Sequence, residues 1–467
     1  MNPLYVLEHP ACIRNRTFYH TITMNKAIMN LLKAIRVEKT SPAHVICLSG
    51  SGGKTTALFQ LARQLLAWHE MVIVTATSHL GIWQTSLADH HIIASASEVD
   101  ISVKGVVLVT GKVEGDRTKP VSKETLYWLH AKSKSEKTPL LIEADGSRQK
   151  PLKAPAAHEP PIPEFTDIVI HVTGLRSLGF PLHEDQVFRA EIFSQLSGLE
   201  FGGPVTPQSI QAFLKHTQGG LKNIPSHAKR IALLNQADTP ELLSISGGMA
   251  LDLLNDFDAV IVGSLQQDNL HLIERTAGII LAAGTSSRYG QPKQLLDWKG
   301  KSFIRHVAET ALHAGLEPVV VVTGFHHAEI EAHLQDLPVI LARNLEYQQG
   351  QSTSVKTGIT ALPPNTGAAV FLLADQPQIP VEVIRALVES HTSERHSVIV
   401  PLVLEERRAN PVLFDRVTFS DLLQLTGDVG GRAIFDKHRV SFLPWHDDIL
   451  IFDVDKPEDY ERLKNLE

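Results

Sequence analysis

The run His44-Val45-Ile46-Cys47-Leu48-Ser49 passes directly into Gly50-Ser51-Gly52-Gly53-Lys54-Thr55-Thr56, and an apolar helical pattern follows over 57–68. An apolar run ended by glycines and followed by helix periodicity reads as strand, turn and helix. The same rhythm repeats outward from it. Further strands are expected at 72–77, 106–110, 140–144, 168–173, 230–235 and 259–263, and a second series at 277–283, 318–323, 368–374, 397–401, 440–443 and 449–454. Nearly continuous apolar strands alternating with helix-length stretches imply α/β architecture with parallel sheets covered on both faces. At about 150 residues per domain, 467 residues make two or three domains. The polar stretch 266–276 separates the two series; it contains neither Gly nor Pro and reads as a short helix or a connection. The expected boundary is near residue 273, giving domains 24–272 and 273–467. Residues 24–37 read as a helix entering the first strand. Either Met24 is the natural start, or residues 1–23 form a loose extension.

Composition removes several function classes. Lys and Arg number 44 against 51 Asp and Glu, a formal charge of −7, which argues against nucleic-acid binding or a polybasic membrane anchor. Cys12 and Cys47 cannot form a disulfide framework, and no C-x-x-C is present. No apolar run reaches the roughly 18–20 residues that span a bilayer. The first 20 residues lack a signal-peptide core. A cytoplasmic protein is expected.

The N-terminal loop carries phosphate-binding chemistry. Gly50, Gly52 and Gly53 let backbone N–H groups face inward, and the following helix N-terminus favours an anion. Lys54 can neutralise phosphate charge, Thr55 can offer a hydroxyl to Mg²⁺, and Thr56 continues the loop into the helix. The full G-x-x-x-x-G-K-[ST] spacing would place a glycine where Leu48 stands. A glycine-rich turn without ligand is the competing reading. The strand at 140–144 ends in Glu143 and Asp145, which suit a Mg²⁺ ion beside such a loop or simply meet solvent. Asn235-Gln236-Ala237-Asp238 resembles the base-reading N-K-x-D turn of guanine-nucleotide proteins, with Gln236 in place of the lysine; turns rich in Asn and Asp are also common in general. Arg148, Lys150 and Lys153 form either a basic pocket or a solvated charge run. The expected fold here is a P-loop-like parallel α/β domain.

The loop, Thr77-Ser78-His79, the stretch from Glu143-Ala144-Asp145-Gly146-Ser147-Arg148 through Lys150-Pro151-Leu152-Lys153-Ala154-Pro155, His158-Glu159-Pro160, and Gly174-Leu175 to Gly179 together resemble the YqeC family. The resemblance implies an accessory to selenium-dependent molybdenum hydroxylases, with a hydroxylase apoprotein as partner; for the nucleotide of the glycine loop, ATP and GTP both stay open.

The second series opens on Leu281-Ala282-Ala283-Gly284-Thr285-Ser286-Ser287-Arg288-Tyr289-Gly290-Gln291-Pro292-Lys293. Small residues at a strand end let a nucleobase lie against backbone, Gly284 permits a sharp turn, and Arg288 and Lys293 supply fixed positive charge. Val370-Phe371-Leu372-Leu373-Ala374-Asp375 delivers Asp375 as a Mg²⁺ ligand; Asp453 and Asp455 follow the last strand, where either could complete the metal shell and one could cap the final helix. Gly350-Gln351-Ser352-Thr353-Ser354 offers donors to an anion or is an ordinary helix cap. The histidines His90-His91 and His326-His327 read as surface residues.

These residues resemble the MobA-like nucleotidyltransferases, and most closely the molybdenum cofactor cytidylyltransferases (MocA-like), over 273–467. The resemblance implies a Rossmann-like nucleotidyltransferase domain. Leu281, Ala282, Ala283 and Gly284 fall at base and ribose, Arg288 and Lys293 on phosphates, and Asp375 on Mg²⁺. Ala283 favours CTP, since L-A-A-G accompanies CTP use and L-A-G-G accompanies GTP use. Asn410-Pro411, Gly427-Asp428 and Gly430-Gly431-Arg432 match the acceptor side.

The implied reaction is CMP transfer from CTP to Mo-molybdopterin with release of pyrophosphate, catalysed through Arg288, Lys293 and Asp375. Two other readings keep the same residues. One is a sugar- or polyol-phosphate cytidylyltransferase, and the other is a nucleotide-switched carrier of the cofactor without transferase activity.

Overall fold

The computed structural model describes residues 29–37, 44–284, 289, 291–404, 406–454 and 456–465. The expected extension 1–23, a start at Met24, Arg288 and Asp455 lie outside them. The chain divides into two compact units, one ending at Ile273 and the other beginning at Glu274.

In the first unit, β1 (Val45–Gly50) leads into α1 (Lys54–Leu65). Then follow β2 (Met71–Ala76), β3 (His90–Ile93), β4 (Gly105–Thr110), α2 (Lys123–Glu136), β5 (Leu140–Glu143), β6 (Ile168–Gly174), β7 (Lys229–Asn235), α3 (Pro240–Leu253), β8 (Ala259–Ser264) and β9 (Asn269–Ile273). They build a nine-stranded sheet of order β9-β8-β7-β6-β1-β5-β2-β4-β3. Every pairing in it is parallel except β8 with β9. Side chains of β1 alternate between faces: Ile46 and Leu48 enter one core, and Val45 and Cys47 the other. Two-sided burial is why these strands read as continuous apolar runs.

The second unit contains β10 (Arg275–Ala282), α4 (Phe303–His313), β11 (Val319–Thr323), β12 (Val339–Arg343), α5 (Gln351–Thr360), β13 (Thr366–Leu373), α6 (Val381–Glu394), β14 (Val398–Val403), β15 (Arg407–Arg408), β16 (Val412–Asp415) and β17 (Val440–Trp445). Sheet order is β12-β11-β10-β13-β16-β14-β15, with β17 also paired to β14. The parallel half, β12 to β13, carries the small-residue turn after Ala282; β16 runs antiparallel to both β13 and β14.

Three expectations need correction. The stretch 266–276 is neither helix nor plain connection, because Leu270 and Leu272 alternate with polar neighbours and pair β9 against β8. The run 449–454 is not a strand. Asp447 accepts the Ile449 N–H and turns Asp448–Ile451 into a 3₁₀ helix that buries Leu450. The described helix before β1 covers only Leu31–Ala34, since Asn30 is extended and its side chain accepts from the Lys33 N–H as an N-cap.

One close approach in the second unit is specific. Gly358 of α5 lies against β10, where an added Cβ would fall 2.5 Å from Ile279 Cγ2. In a helix interior Gly→Ala ordinarily stabilises by about 1 kcal/mol. Here overpacking reverses the sign, and Gly358→Ala is expected to lose about 1–3 kcal/mol. The denaturant midpoint of the second unit's transition checks this, and an unchanged or raised midpoint contradicts it.

Candidate nucleotide sites at the carboxyl ends of the two sheets

In an open parallel sheet, ligands bind beyond the carboxyl ends of the strands. In the first unit, the loop after β1 lies there. Gly50, Gly52 and Gly53 have φ of +92°, +75° and +128°, so the turn depends on glycine. Gly52 also packs on Gly174 at the end of β6, where a Cβ would fall 2.4 Å from the Gly174 Cα. Lys54, only 3% exposed, folds back beneath the loop: its Nζ donates to the Gly50 carbonyl at 2.5 Å and pairs with Asp145 Oδ1 at 3.2 Å.

Asp145 is the hub of a buried chain of alternating charge. Its Oδ1 also accepts the Gly50 N–H at 3.2 Å, and its Oδ2 meets Lys153 Nζ at 2.6 Å. Lys153 reaches Glu159 at 2.8 Å, and Arg189 holds Glu159 at 2.7 and 3.1 Å. Burial opposes the charge on Glu159, but hydrogen bonds from Arg189 and Lys153 outweigh it and hold its carboxyl at about 2. Lys153 therefore belongs neither to an open basic pocket nor to a solvated run, because the chain folds it inward onto two carboxylates. Arg148 instead lies exposed over the Phe188 ring at 4.9 Å, and Lys150 donates to the Asp185 carbonyl at 2.8 Å.

Glu143 ends β5 beside Leu48. Its Oε2 accepts the Thr55 hydroxyl at 3.0 Å, and Gln84 donates to that same hydroxyl oxygen at 2.6 Å. Burial raises the Glu143 carboxyl above its usual range despite nearby Lys54. Thr56 is exposed on the first turn of α1. A hydroxyl backed by a carboxylate beside a phosphate loop is a donor set that fits Mg²⁺. Among the described residues no cluster of three metal-ligating side chains occurs, so a divalent ion would rely largely on nucleotide phosphates and water.

In the second unit, a cavity of about 710 Å³ opens at the ends of β10 and β13. Leu281, Ala283, Gly284, Lys293 and Asp375 line it, and Ala282 is buried behind them. Lys293 Nζ pairs with Asp375 Oδ2 at 3.1 Å and donates to the Val454 carbonyl at 2.9 Å, so the lysine does reach the site. Asp453 accepts from Gln376 Nε2 at 2.7 Å, while the buried Gln376 Oε1 has no partner among the described residues. A second cavity of about 430 Å³ is lined by Asp453, Gln376, Asn410, Arg407, Arg408 and Arg432 among others. Leu281, Gln351 and Leu373 border both cavities.

The N–H and hydroxyl donors expected at the start of α5 are partly occupied. Asp428 Oδ1 accepts the Gln351 N–H at 3.1 Å, and the Thr353 hydroxyl bonds the Gly350 carbonyl at 2.8 Å. Asp428 comes from a distant loop, a contact that local sequence does not reveal. Of the histidines, His90 is exposed, but His91 is half-buried with Nε2 2.8 Å from Thr110 Oγ1. Sequence reasoning missed Gln84, Glu159 and Arg189 as neighbours of the loop, and it missed His171. A lone histidine inside the apolar run of β6 was the signal for the last.

Comparison with known proteins follows these two units. Residues 46–191 match the YqeC protein family, and residues 278–442 match the MobA-like NTP transferase domain. The chain is 31% identical over 232 residues to the uncharacterized protein YqeC of Escherichia coli, covering 48% of this chain and 88% of that one. It is 31% identical over 198 residues to the purine catabolism protein PucB of Bacillus subtilis, covering 40% of this chain and 95% of that one. A probable molybdenum cofactor guanylyltransferase of Bacillus cereus is 31% identical over 143 residues, covering 30% of this chain and 68% of that protein. The chain belongs to the YqeC family, joined to a MobA-like NTP transferase domain. No helix among the described residues of this YqeC–MobA-like chain is long and apolar enough to cross a membrane.

His171 supplies a test of the YqeC unit. It lies against Ser49 Oγ at 3.1 Å, and burial lowers its imidazole to about 4, with Asp145 opposing and Lys54 and Lys153 adding to the shift. A histidine held neutral contributes stability that is complete above its unfolded value near 6.5 and is lost as pH falls through about 4. Urea titrations of wild type and His171→Asn should therefore differ by a constant amount above pH 6.5, with the difference shrinking towards pH 4. Parallel curves across that window would contradict the buried neutral histidine.

Proposed function

We propose that the MobA-like domain transfers CMP from CTP to Mo-molybdopterin, releasing pyrophosphate, and that the YqeC domain binds ATP or GTP with Mg²⁺ in the maturation of a molybdenum hydroxylase, selenium-dependent or otherwise. The observation that carries the transferase reading is the pair of adjoining cavities. One presents Lys293 and Asp375 beneath the small-residue turn, and the other presents Arg407, Arg408 and Arg432. A triphosphate fits the first chemistry and a phosphorylated acceptor the second.

In this reading a terminal phosphate oxygen of the acceptor attacks the α-phosphorus of CTP. The bond from that phosphorus to the bridging oxygen breaks, and pyrophosphate leaves with the electron pair. Asp375 and either Asp453 or Asp455 would hold Mg²⁺, which when bound would supply charge neutralisation on the phosphates. Lys293 and Asp375 neutralise each other in the pair described above; when nucleotide enters, Lys293 turns to phosphate oxygens, and Arg288 adds charge there. Leu281, Ala282, Ala283 and Gly284 hold base and ribose, with Ala283 selecting CTP. Positioning and electrostatics do most of the work, as in other phosphoryl transfers. On the YqeC side, Gly50, Gly52, Gly53, Lys54, Thr55 and Thr56 cradle phosphates, and Glu143 and Asp145 stand behind the metal. Relatives named for purine catabolism and for molybdenum cofactor guanylyl transfer are compatible with service to a molybdenum hydroxylase.

Pyrophosphate release by the full chain with Mg²⁺ and molybdenum-loaded molybdopterin tests the assignment. CTP is expected to support release, GTP and ATP are not, and Asp375→Ala and Lys293→Ala should each lower the rate by about 100-fold. Equal release from GTP would contradict the base assignment. Release only with a polyol phosphate would replace the acceptor, and no release with any acceptor would favour the carrier reading.

A further inference from the structure

The turn after β7 does more than leave the strand. Asn235, buried at the end of β7, donates from Nδ2 to the Gly52 carbonyl at 2.7 Å and accepts the Leu265 N–H on Oδ1 at 3.0 Å. It thus ties the phosphate loop to the turn after β8. Gln60 of α1 makes a second tie, donating to the Leu265 carbonyl at 2.9 Å. Beside this junction stands Asp238. Its Oδ1 accepts the Ser264 hydroxyl at 2.6 Å, which fixes the plane of the carboxylate. Its Oδ2 accepts Arg176 Nε at 3.1 Å and Nη2 at 2.9 Å. The Arg176 side chain is 53% exposed and that of Asp238 21% exposed, so the pair opens to solvent rather than forming part of the core.

The chemistry of that carboxylate is selective. An ionised carboxylate only accepts, and each oxygen has room for two donors. Guanine presents two adjacent donors, N1–H and the N2 amine, on one edge. Adenine presents an acceptor at N1 beside its N6 amine, which would set a lone pair against the carboxylate. Arg176 now occupies Asp238 with the same unit that guanine carries there, two N–H groups on one amidine-like carbon. Being exposed, the guanidinium can leave cheaply, and it is then free to stack on a base.

We propose that the YqeC domain binds guanine nucleotides in preference to adenine nucleotides, with Asp238 reading N1–H and the N2 amine, Ser264 orienting that carboxylate, and Asn235 coupling the base site to the phosphate loop. The proposal rests on the reading of 50–56 as a phosphate loop and adds to it the identity of the base.

Calorimetric titration of the full chain with GDP, ADP and xanthosine diphosphate in Mg²⁺ tests it, taking the binding that Lys54→Ala removes as that of the YqeC domain. GDP is expected to bind about 10- to 100-fold more tightly than ADP, the range one bidentate base contact supplies. Asp238→Asn should erase that advantage and bind xanthosine diphosphate instead, because an amide N–H can donate to the xanthine C2 carbonyl while its oxygen still accepts N1–H. This gain of binding keeps the test decisive if Lys54→Ala does not fold. Lys54-dependent binding with equal GDP and ADP affinity, or GDP binding untouched by Asp238→Asn, would overturn the base assignment and leave the phosphate loop standing. Absence of any Lys54-dependent or xanthine-gaining binding would overturn both.

Discussion

Both units obey one constraint: strands paired in parallel and covered on both faces leave little room for polar side chains along their length. β1 is buried at all six positions, and its neighbours β5 and β6 are buried throughout. Polar function is therefore driven to where the strands end, and parallel pairing brings those ends to the same edge. Glu143 and Asn235 are the last residues of apolar strands around the Gly50–Gly53 turn, and His171, the one histidine within β6, is held neutral by burial. In the second unit the same rule brings the Leu281–Gly284 turn beside Asp375, because Leu281 pairs with Leu373.

Placing charge at such an edge has an electrostatic price that the chain offsets locally. Lys54 and Asp145 are each about 3% exposed, and an unpaired ion there would be strongly unfavourable. The alternating sequence Lys54, Asp145, Lys153, Glu159, Arg189 leads charge outward from the loop, each group partnered by the next. This explains why Lys153 ends up buried although Arg148, five residues earlier, stays exposed. Under the proposed function, Lys54 would turn to a phosphate without stranding Asp145, which retains Lys153. Lys293 and Asp375 repeat the idea in shorter form at the other site.

Much of this was legible in the sequence. The strand series, the two-unit plan and the two glycine-marked turns follow from apolar runs punctuated by small residues. What escaped was set by pairing at long range. The strand Val412–Asp415 and the edge strand His90–Ile93 are fixed by pairing with strands distant in sequence, and the apolar residues at 449–454 curl into a 3₁₀ turn because Asp447 caps them. Asp428 reaching the start of α5, and Gln84 reaching Thr55, join residues 77 and 29 positions apart, which no local pattern encodes. The turn at Asn235–Asp238 was visible as a motif, but only its bonds to Gly52 and Ser264 give it a role.

In the proposed function, one chain carries two nucleotide sites, each at the carboxyl edge of its own sheet. Amide hydrogen exchange of the full chain in Mg²⁺, with CTP alone and then with GDP alone, tests it most directly. CTP should slow exchange at 281–294, 350–354 and 373–376, and GDP at 50–56, 235–238 and 264–265, with little overlap between the two sets. Protection of a single common set by both nucleotides, or protection confined to other segments, would contradict it.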